Sequence, residues 1–265
     1  MIDLHVHTCY SGHGKGEIDE YLQKAQELKL REIGISEHFP MEQYWKNMPG
    51  FTMSIKHWPE FLQSILKLKQ EYPFLRFGLE IDYFPEAEDA IKKLTRNLPV
   101  DYLIGSVHFI NDWPFDSPFE IDKYKLLDLR QLTKSYFILV KKVIRSGTFN
   151  ILGHLDLIKK FGFINYEFIE PYIQEILQEI KNSGMVLEVN TAGFRYPAGE
   201  QYPSTVIIKE AVREKIPLTT GSDAHKPEQL AFKFKEIYQM LTEIGVKTLT
   251  SFDNRLAKEI PLNRP

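Results

Sequence analysis

A single cysteine, Cys9, in 265 residues excludes an internal disulfide framework, and with it the small secreted scaffolds that depend on one. No uninterrupted apolar run reaches the ~18 residues a membrane-spanning helix needs, so no membrane partner is expected. The N-terminal stretch has no basic segment followed by an apolar one, so no secretory leader is expected. Positive charge is not in excess either. Lys and Arg number 33 against 36 Asp and Glu, a net charge of −3, which gives no field to attract nucleic acid. Gly/Ser-rich linkers, low-complexity tracts and steps in composition are also missing, so residues 1–265 read as one domain. With 43% hydrophobic residues such a domain can build a sizeable core, and the whole reads as a soluble cytoplasmic protein.

What is present is alternation. Short β-branched runs at Ile2–His7, Glu32–Ser36, Leu75–Leu79, Tyr102–Ser106, Phe149–Gly153, Val186–Val189 and Leu218–Gly221 read as strands. Between them apolar residues recur with helical period. Ile18, Tyr21, Leu22, Ala25 and Leu28 mark one stripe, and Phe61, Ile65, Leu66 and Leu68 a second. Further helices are expected over Leu126–Val143, Ile169–Ile180, Thr205–Arg213 and Gln229–Leu241. Lys247–Ser251 reads as an eighth short strand. Seven or eight β-α units in this length predict a closed, distorted (β/α)7 barrel. The Pro- and aromatic-rich segments Phe39–Met53 and Phe109–Phe119 would be loops over its mouth.

Histidine carries the functional signal. In Asp3-Leu4-His5-Val6-His7 two imidazoles two residues apart on a strand share one face, while Leu4 and Val6 pack the other way. His13 follows in Ser11-Gly12-His13-Gly14. Later strands end in His38, Glu80, His108, His154 and the pair Asp223 and His225. Seven of the eight histidines therefore fall at one end of successive strands, and only His57 lies elsewhere. In a parallel barrel those ends converge, and active sites are built there. Imidazole and carboxylate without thiolate suit zinc, manganese or iron. Nine such ligands exceed what one ion uses, so two or three divalent ions are implied, with Glu80 or Asp223 placed to bridge.

These segments, in order and over the whole chain, resemble the signature of the polymerase and histidinol phosphatase (PHP) family. Ser11-Gly12-His13-Gly14, Ile104-Gly105-Ser106-Val107-His108, Gly153-His154-Leu155-Asp156-Leu157 and Asn190-Thr191-Ala192-Gly193 are similar to its histidinol-phosphate phosphatases. The resemblance implies a trinuclear site. His5, His7, Glu80 and Asp223 would hold one ion, Glu80, His108 and His154 a second, and His13, His38 and His225 a third. It also implies hydrolysis of a small phosphorylated amino alcohol by a metal-activated hydroxide. In such a site Asp223 would ligate through one oxygen and handle a proton with the other, and His225 is the competing carrier where the third ion is absent. Basic phosphate contacts are expected at Arg195 and then Lys160, with Lys159 its rival.

Glu188, Asp82, Asp156 and Glu37 are candidates to face the substrate amine, although Glu37 and Asp156 read better as carboxylates orienting ligand histidines. Trp45, Trp113 and Phe115 are candidates to wall the pocket or pin its loops. Cys9 reads as a small hydrophobe and His57 as structural or exposed. Ser11 and Ser222 lack a His–Asp arrangement of their own, which disfavours a serine nucleophile. Three rival readings are a nuclease, which the mild acidity opposes, an amidohydrolase, which lacks a lysine at Glu80 or His108, and a metal-binding module without catalysis.

Overall fold

The computed structural model describes residues 1–44 and 50–262. Strands and helices alternate along it. β1 (Ile2–Val6), α1 (Ile18–Glu27), β2 (Glu32–His38), α2 (Trp58–Glu71), β3 (Leu75–Asp82), α3 (Glu88–Thr95) and β4 (Tyr102–Ser106) come first. A small hairpin, β5 (Phe109–Ile110) and β6 (Trp113–Pro114), leads to α4 (Leu129–Arg145), β7 (Ile151–Leu152), α5 (Tyr166–Ser183), β8 (Val186–Asn190), α6 (Thr205–Arg213) and β9 (Leu218–Gly221). The chain then runs through α7 (Phe234–Glu243), β10 (Thr248–Asp253) and β11 (Leu256–Pro261). Seven strands share one sheet in the order β1-β2-β3-β4-β7-β8-β9, the strand sequence of a (β/α)7 barrel.

Two compact units make up the chain. One comprises Met1–Ile81, Leu98–Ile104 and Thr219–Pro265, the other Asp82–Asn97 and Gly105–Leu218. In the first, β1, β2 and β3 pair in parallel, and every residue of β1 and β2 is buried. Tyr102 lies across this sheet and donates its hydroxyl to Leu4 O at 2.6 Å. Gly34 and Gly78 make room for its ring: a Cβ on either would stand within 2.3 Å of Tyr102 atoms. In the second unit β7 pairs with β8, and the apolar stripe of α4 is buried through Leu132, Tyr136, Phe137, Val140 and Val143. There Phe137 stacks on Tyr172 of α5, centroids 5.0 Å apart.

The segment read as an eighth strand is corrected. β10 does not join the seven; it pairs antiparallel with β11 in a separate hairpin. Asn254 and Arg255 between them both have positive φ, 48° and 66°, the backbone that a two-residue turn matched to strand twist requires. α3 was not anticipated. Trp113 and Phe115 are buried against Tyr124 and Tyr136, so they pin their segment in place. Trp45 lies outside the described residues. Among the described residues no helix is long and apolar enough to cross a membrane.

Candidate metal centre

In the first unit, the backbone places seven of the anticipated ligands together. β2 and β3 are in a register that sets His38 beside Glu80. β1 meets the loop after β9 through His7 N to Ala224 O (2.8 Å) and Asp223 N to His5 O (2.7 Å). Asp3 fixes the same loop by accepting from Ser222 N and Ala231 N, at 2.8 and 2.9 Å. Asp223 itself sits at φ 52°, a left-handed conformation costing roughly 1–2 kcal/mol for a side chain other than glycine. His13 is presented by a tight turn whose flanking positions admit only glycine. Gly12 has φ +85°, and a Cβ on Gly14 would lie 2.1 Å from Thr8 O.

The side-chain distances decide the chemistry. Glu80 Oε2 lies 3.3 Å from His5 Nε2, 3.3 Å from His7 Nε2 and 3.2 Å from His38 Nδ1. Asp223 Oδ1 lies 3.4 Å from His7 Nε2. These are long for charge-assisted hydrogen bonds, which close to ~2.7–2.9 Å. They match the ~3.3 Å edge of a tetrahedron whose corners stand ~2.0–2.1 Å from its centre, the bond lengths of zinc to nitrogen and carboxylate oxygen. The Nε2 atoms of His7 and His225 are buried without a hydrogen bond. Two donor groups, His5–His7–Asp223 and His7–His38–His225, each have their atoms within 4.8 Å of one another. His13 joins by ring contact, 4.5 Å from His225 and 5.4 Å from His38, and Phe51 stacks on its other side at 4.9 Å. The residues fit a cluster of cations.

Electrostatics agrees. Burial opposes charge on His7, yet Asp223 and Glu80 lift the imidazole to about 9, so these carboxylates call for a cation between them. Burial also works against ionised Asp223, but His5, His7 and His225 hold it well below the usual carboxylate range. Burial, reinforced by His7 and His13, holds His225 well below an ordinary imidazole. A neutral ring and an ionised carboxylate are the ligand forms of both groups.

The second unit carries the remaining two anticipated ligands. His108 and His154 face each other with Nε2 atoms 3.2 Å apart, again a tetrahedral edge. Asp82 Oδ1 accepts from His108 Nδ1 at 2.5 Å, which leaves Nε2 as the donor atom. His154 sits at φ 40°, a second left-handed residue at an anticipated ligand position. Lys160 pairs with Asp116 at 3.0 Å and lies 4.4 Å above the Tyr196 ring. Its rival Lys159 is locked by Asp156, Glu200 and the Gln201 carbonyl, at 2.8, 2.7 and 3.1 Å. Arg195 ends a 3-10 turn, Thr191–Arg195, directly after β8 and is half-buried.

Of the four carboxylates considered for a substrate amine, Asp82 instead holds His108, and Asp156 pairs with Lys159 while accepting from Ser204 N. Glu188 accepts from Asn190 Nδ2 at 3.1 Å. Glu37 accepts from Thr8 and Ser11, and Ser11 in turn meets His7. Asp116 was not anticipated. Burial works against its charge, but Lys160, His108 and His154 hold its carboxyl below the usual range. No motif marks it, since its significance comes from a fold-back over 44 residues to Lys160. His57 is exposed at the start of α2.

The PHP domain model matches residues 3–192. A probable histidinol-phosphatase of Deinococcus radiodurans is 35% identical over 253 residues, covering 94% of this chain and 96% of the relative. The histidinol-phosphatase of Bacillus subtilis is 28% identical and covers 88% of this chain and 96% of its own. Among solved structures, histidinol phosphate phosphatase from Lactococcus lactis, complexed with zinc, L-histidinol and phosphate, superposes with a TM-score of 0.84. It covers 97% of this chain and 98% of its own at 23% identity. A strand order of seven, imidazoles gathered at strand ends and these likenesses agree: the chain belongs to the PHP domain family.

Proposed function

We propose that this chain is a metal-dependent phosphomonoester hydrolase that converts L-histidinol phosphate to L-histidinol and phosphate. The observation that carries the proposal is the set of 3.2–3.4 Å separations around Glu80 Oε2 and Asp223 Oδ1. The relatives named histidinol-phosphatase and the zinc, histidinol and phosphate held by the Lactococcus protein support the substrate and the metal. The biosynthetic context, histidine production in the cytoplasm, belongs to the same proposal.

His5, His7, His13, His38, Glu80, Asp223 and His225 are the proposed ligands of the first unit, and His108 and His154 those of the second. Two or three zinc, manganese or iron ions are proposed. When bound, such ions polarise the phosphoryl oxygens and lower the pKa of an attacking water. The chain's own residues then divide the work. Glu80, 1% exposed, can only hold and balance charge. Asp223, 19% exposed and ionised, can also take a proton from the nucleophile or return one to the leaving alkoxide. His225, neutral and 27% exposed, is the alternative carrier where the third ion is absent. Arg195 and Lys160 are the proposed fixed cations for the phosphate, Arg195 by its planar fork and Lys160 as a charge steadied by Asp116 and Tyr196.

Phosphate release from L-histidinol phosphate by zinc- or manganese-loaded protein, run beside an aryl phosphate and a DNA oligonucleotide, tests the reading. Fast and selective release from the first is expected. Equal, slow release from all three would leave the metal cluster and overturn the substrate. Arg195→Ala is expected to raise KM for the ester about ten- to hundredfold, the range set by loss of one charge-assisted hydrogen-bonding partner, with metal content unchanged. An unaltered KM would remove Arg195 from the phosphate site.

A further inference from the structure

We infer that Glu37, acting through Ser11, is a positioning residue that sets which nitrogen of His7 carries the proton, and so which one is able to bind metal. This rests on the reading of His7 Nε2 as a ligand. Glu37 neighbours His38 in sequence, but its carboxylate is committed elsewhere. Its Oε1 accepts the Thr8 amide at 2.8 Å and the Thr8 hydroxyl at 2.5 Å, and its Oε2 accepts the Ser11 hydroxyl. Thr8 Oγ1 itself takes the Tyr10 amide as the cap of the short turn Cys9–Ser11, so its own proton is directed to Glu37. Thr8, Ser11 and Glu37 are all fully buried, so water does not substitute for any member.

The direction of each hydrogen bond follows from counting protons. A serine hydroxyl has one. Spent on Glu37, it leaves Ser11 Oγ only lone pairs to offer His7 Nδ1, 3.2 Å away. Nδ1 is therefore the protonated nitrogen. Nε2 is then the nitrogen that gives up its proton to a cation, its lone pair aimed at the position between Glu80 Oε2 and Asp223 Oδ1. The same logic operates between Asp82 and His108, there without an intervening hydroxyl.

This assignment makes an isosteric change more damaging than a deletion. In Glu37→Gln the Thr8 backbone amide is a donor that cannot turn round, so the glutamine oxygen must face it. The amide NH2 then faces Ser11 and donates to Oγ. The serine proton has only His7 Nδ1 left to serve, Nδ1 becomes an acceptor, and the proton moves to Nε2, where it blocks the metal. Ser11→Ala merely removes the relay and leaves both tautomers open.

The experiment uses the full chain labelled with 15N-histidine. Two-bond 15N–1H correlations are recorded with zinc bound and after chelation, and zinc affinity is measured by chelator competition. Expected are Nδ1–H on His7 in the native protein, with and without zinc, and an unprotonated Nδ1 in chelated Glu37→Gln. Zinc affinity should fall about tenfold in Ser11→Ala and about a hundredfold in Glu37→Gln, the span seen for loss of groups that support metal ligands. Melting curves of the chelated variants report folding separately. An unprotonated Nδ1 on His7 in the native protein, or Glu37→Gln binding zinc as tightly as Ser11→Ala, would overturn the inference. A reversed tautomer with unchanged zinc affinity would uphold the hydrogen-bond chain and remove His7 from the ligand set.

Discussion

Asp223→Asn is expected to fold, to keep its metals and to lose roughly a thousandfold of its turnover, the middle of the range for losing a positioned proton carrier. The substitution preserves size and one oxygen acceptor at a position whose backbone is already strained, at φ 52°. Asparagine tolerates that left-handed conformation better than most residues, which protects the fold in this variant. What disappears is charge and basicity. Asp223 is the one cluster carboxylate both partly open to solvent and held ionised by three histidines. Steady-state kinetics on zinc-loaded protein, with metal content measured on the same sample, checks this. Near-native turnover would transfer proton handling to His225. Loss of metal together with activity would make Asp223 a ligand before anything else.

Glu80→Gln is expected to fail in the opposite order, losing metal first. A single oxygen, Glu80 Oε2, stands 3.2–3.3 Å from ring nitrogens of His5, His7 and His38. Replacing it with a neutral amide removes the charge that balances cations there and can present an N–H to the rings. Groups that merely support ligands are worth about 10–100-fold in affinity, so a central ligand should cost more than about a hundredfold. Elemental analysis after dialysis should show substoichiometric metal, with little activity even when metal is resupplied. The contrast between the two variants is the informative result. Retained metal in Glu80→Gln would place the ions away from this oxygen.

Much of this was legible in the sequence because histidine has few structural uses at strand ends, and here its positions follow the strand order. His38 and Glu80, 42 positions apart in sequence, are neighbours because parallel pairing sets β2 against β3 in register. What stayed hidden depends on chain direction at short range or on distant partners. α3 carries two bulky apolar residues, Ile91 and Leu94, and Leu94 is exposed, so no stripe announces it. β10 looked like another barrel strand because its turn, Asn254-Arg255, lacks the glycine that usually marks a two-residue hairpin. Glu37 reads from sequence as a carboxylate orienting a histidine and Asp82 as a candidate for substrate contact; geometry shows the first reaching His7, through Ser11, and the second holding His108 directly. Asp116 acquires its role only by meeting Lys160.

The clasp between Asp3 and the amides of Ser222 and Ala231 has a consequence for the life of the chain on the ribosome. Asp3 and Ser222 are separated by 219 positions, and Thr220 closes a second such bond onto the Ile2 carbonyl. At ~5–20 residues per second, synthesis takes roughly ten to forty-five seconds to carry the chain from one to the other. During that time His5 and His7 stand on a strand that has gained β2 but not the Asp223 loop. Glu80 is made early and Asp223 late. Such a long-range closure is also slow to find once both ends exist. On the proposed ligand set, the imidazoles of β1 and Glu80 are in place without the second carboxylate until Asp223 is made. Assembly of the proposed ligand set is therefore a late step of chain synthesis.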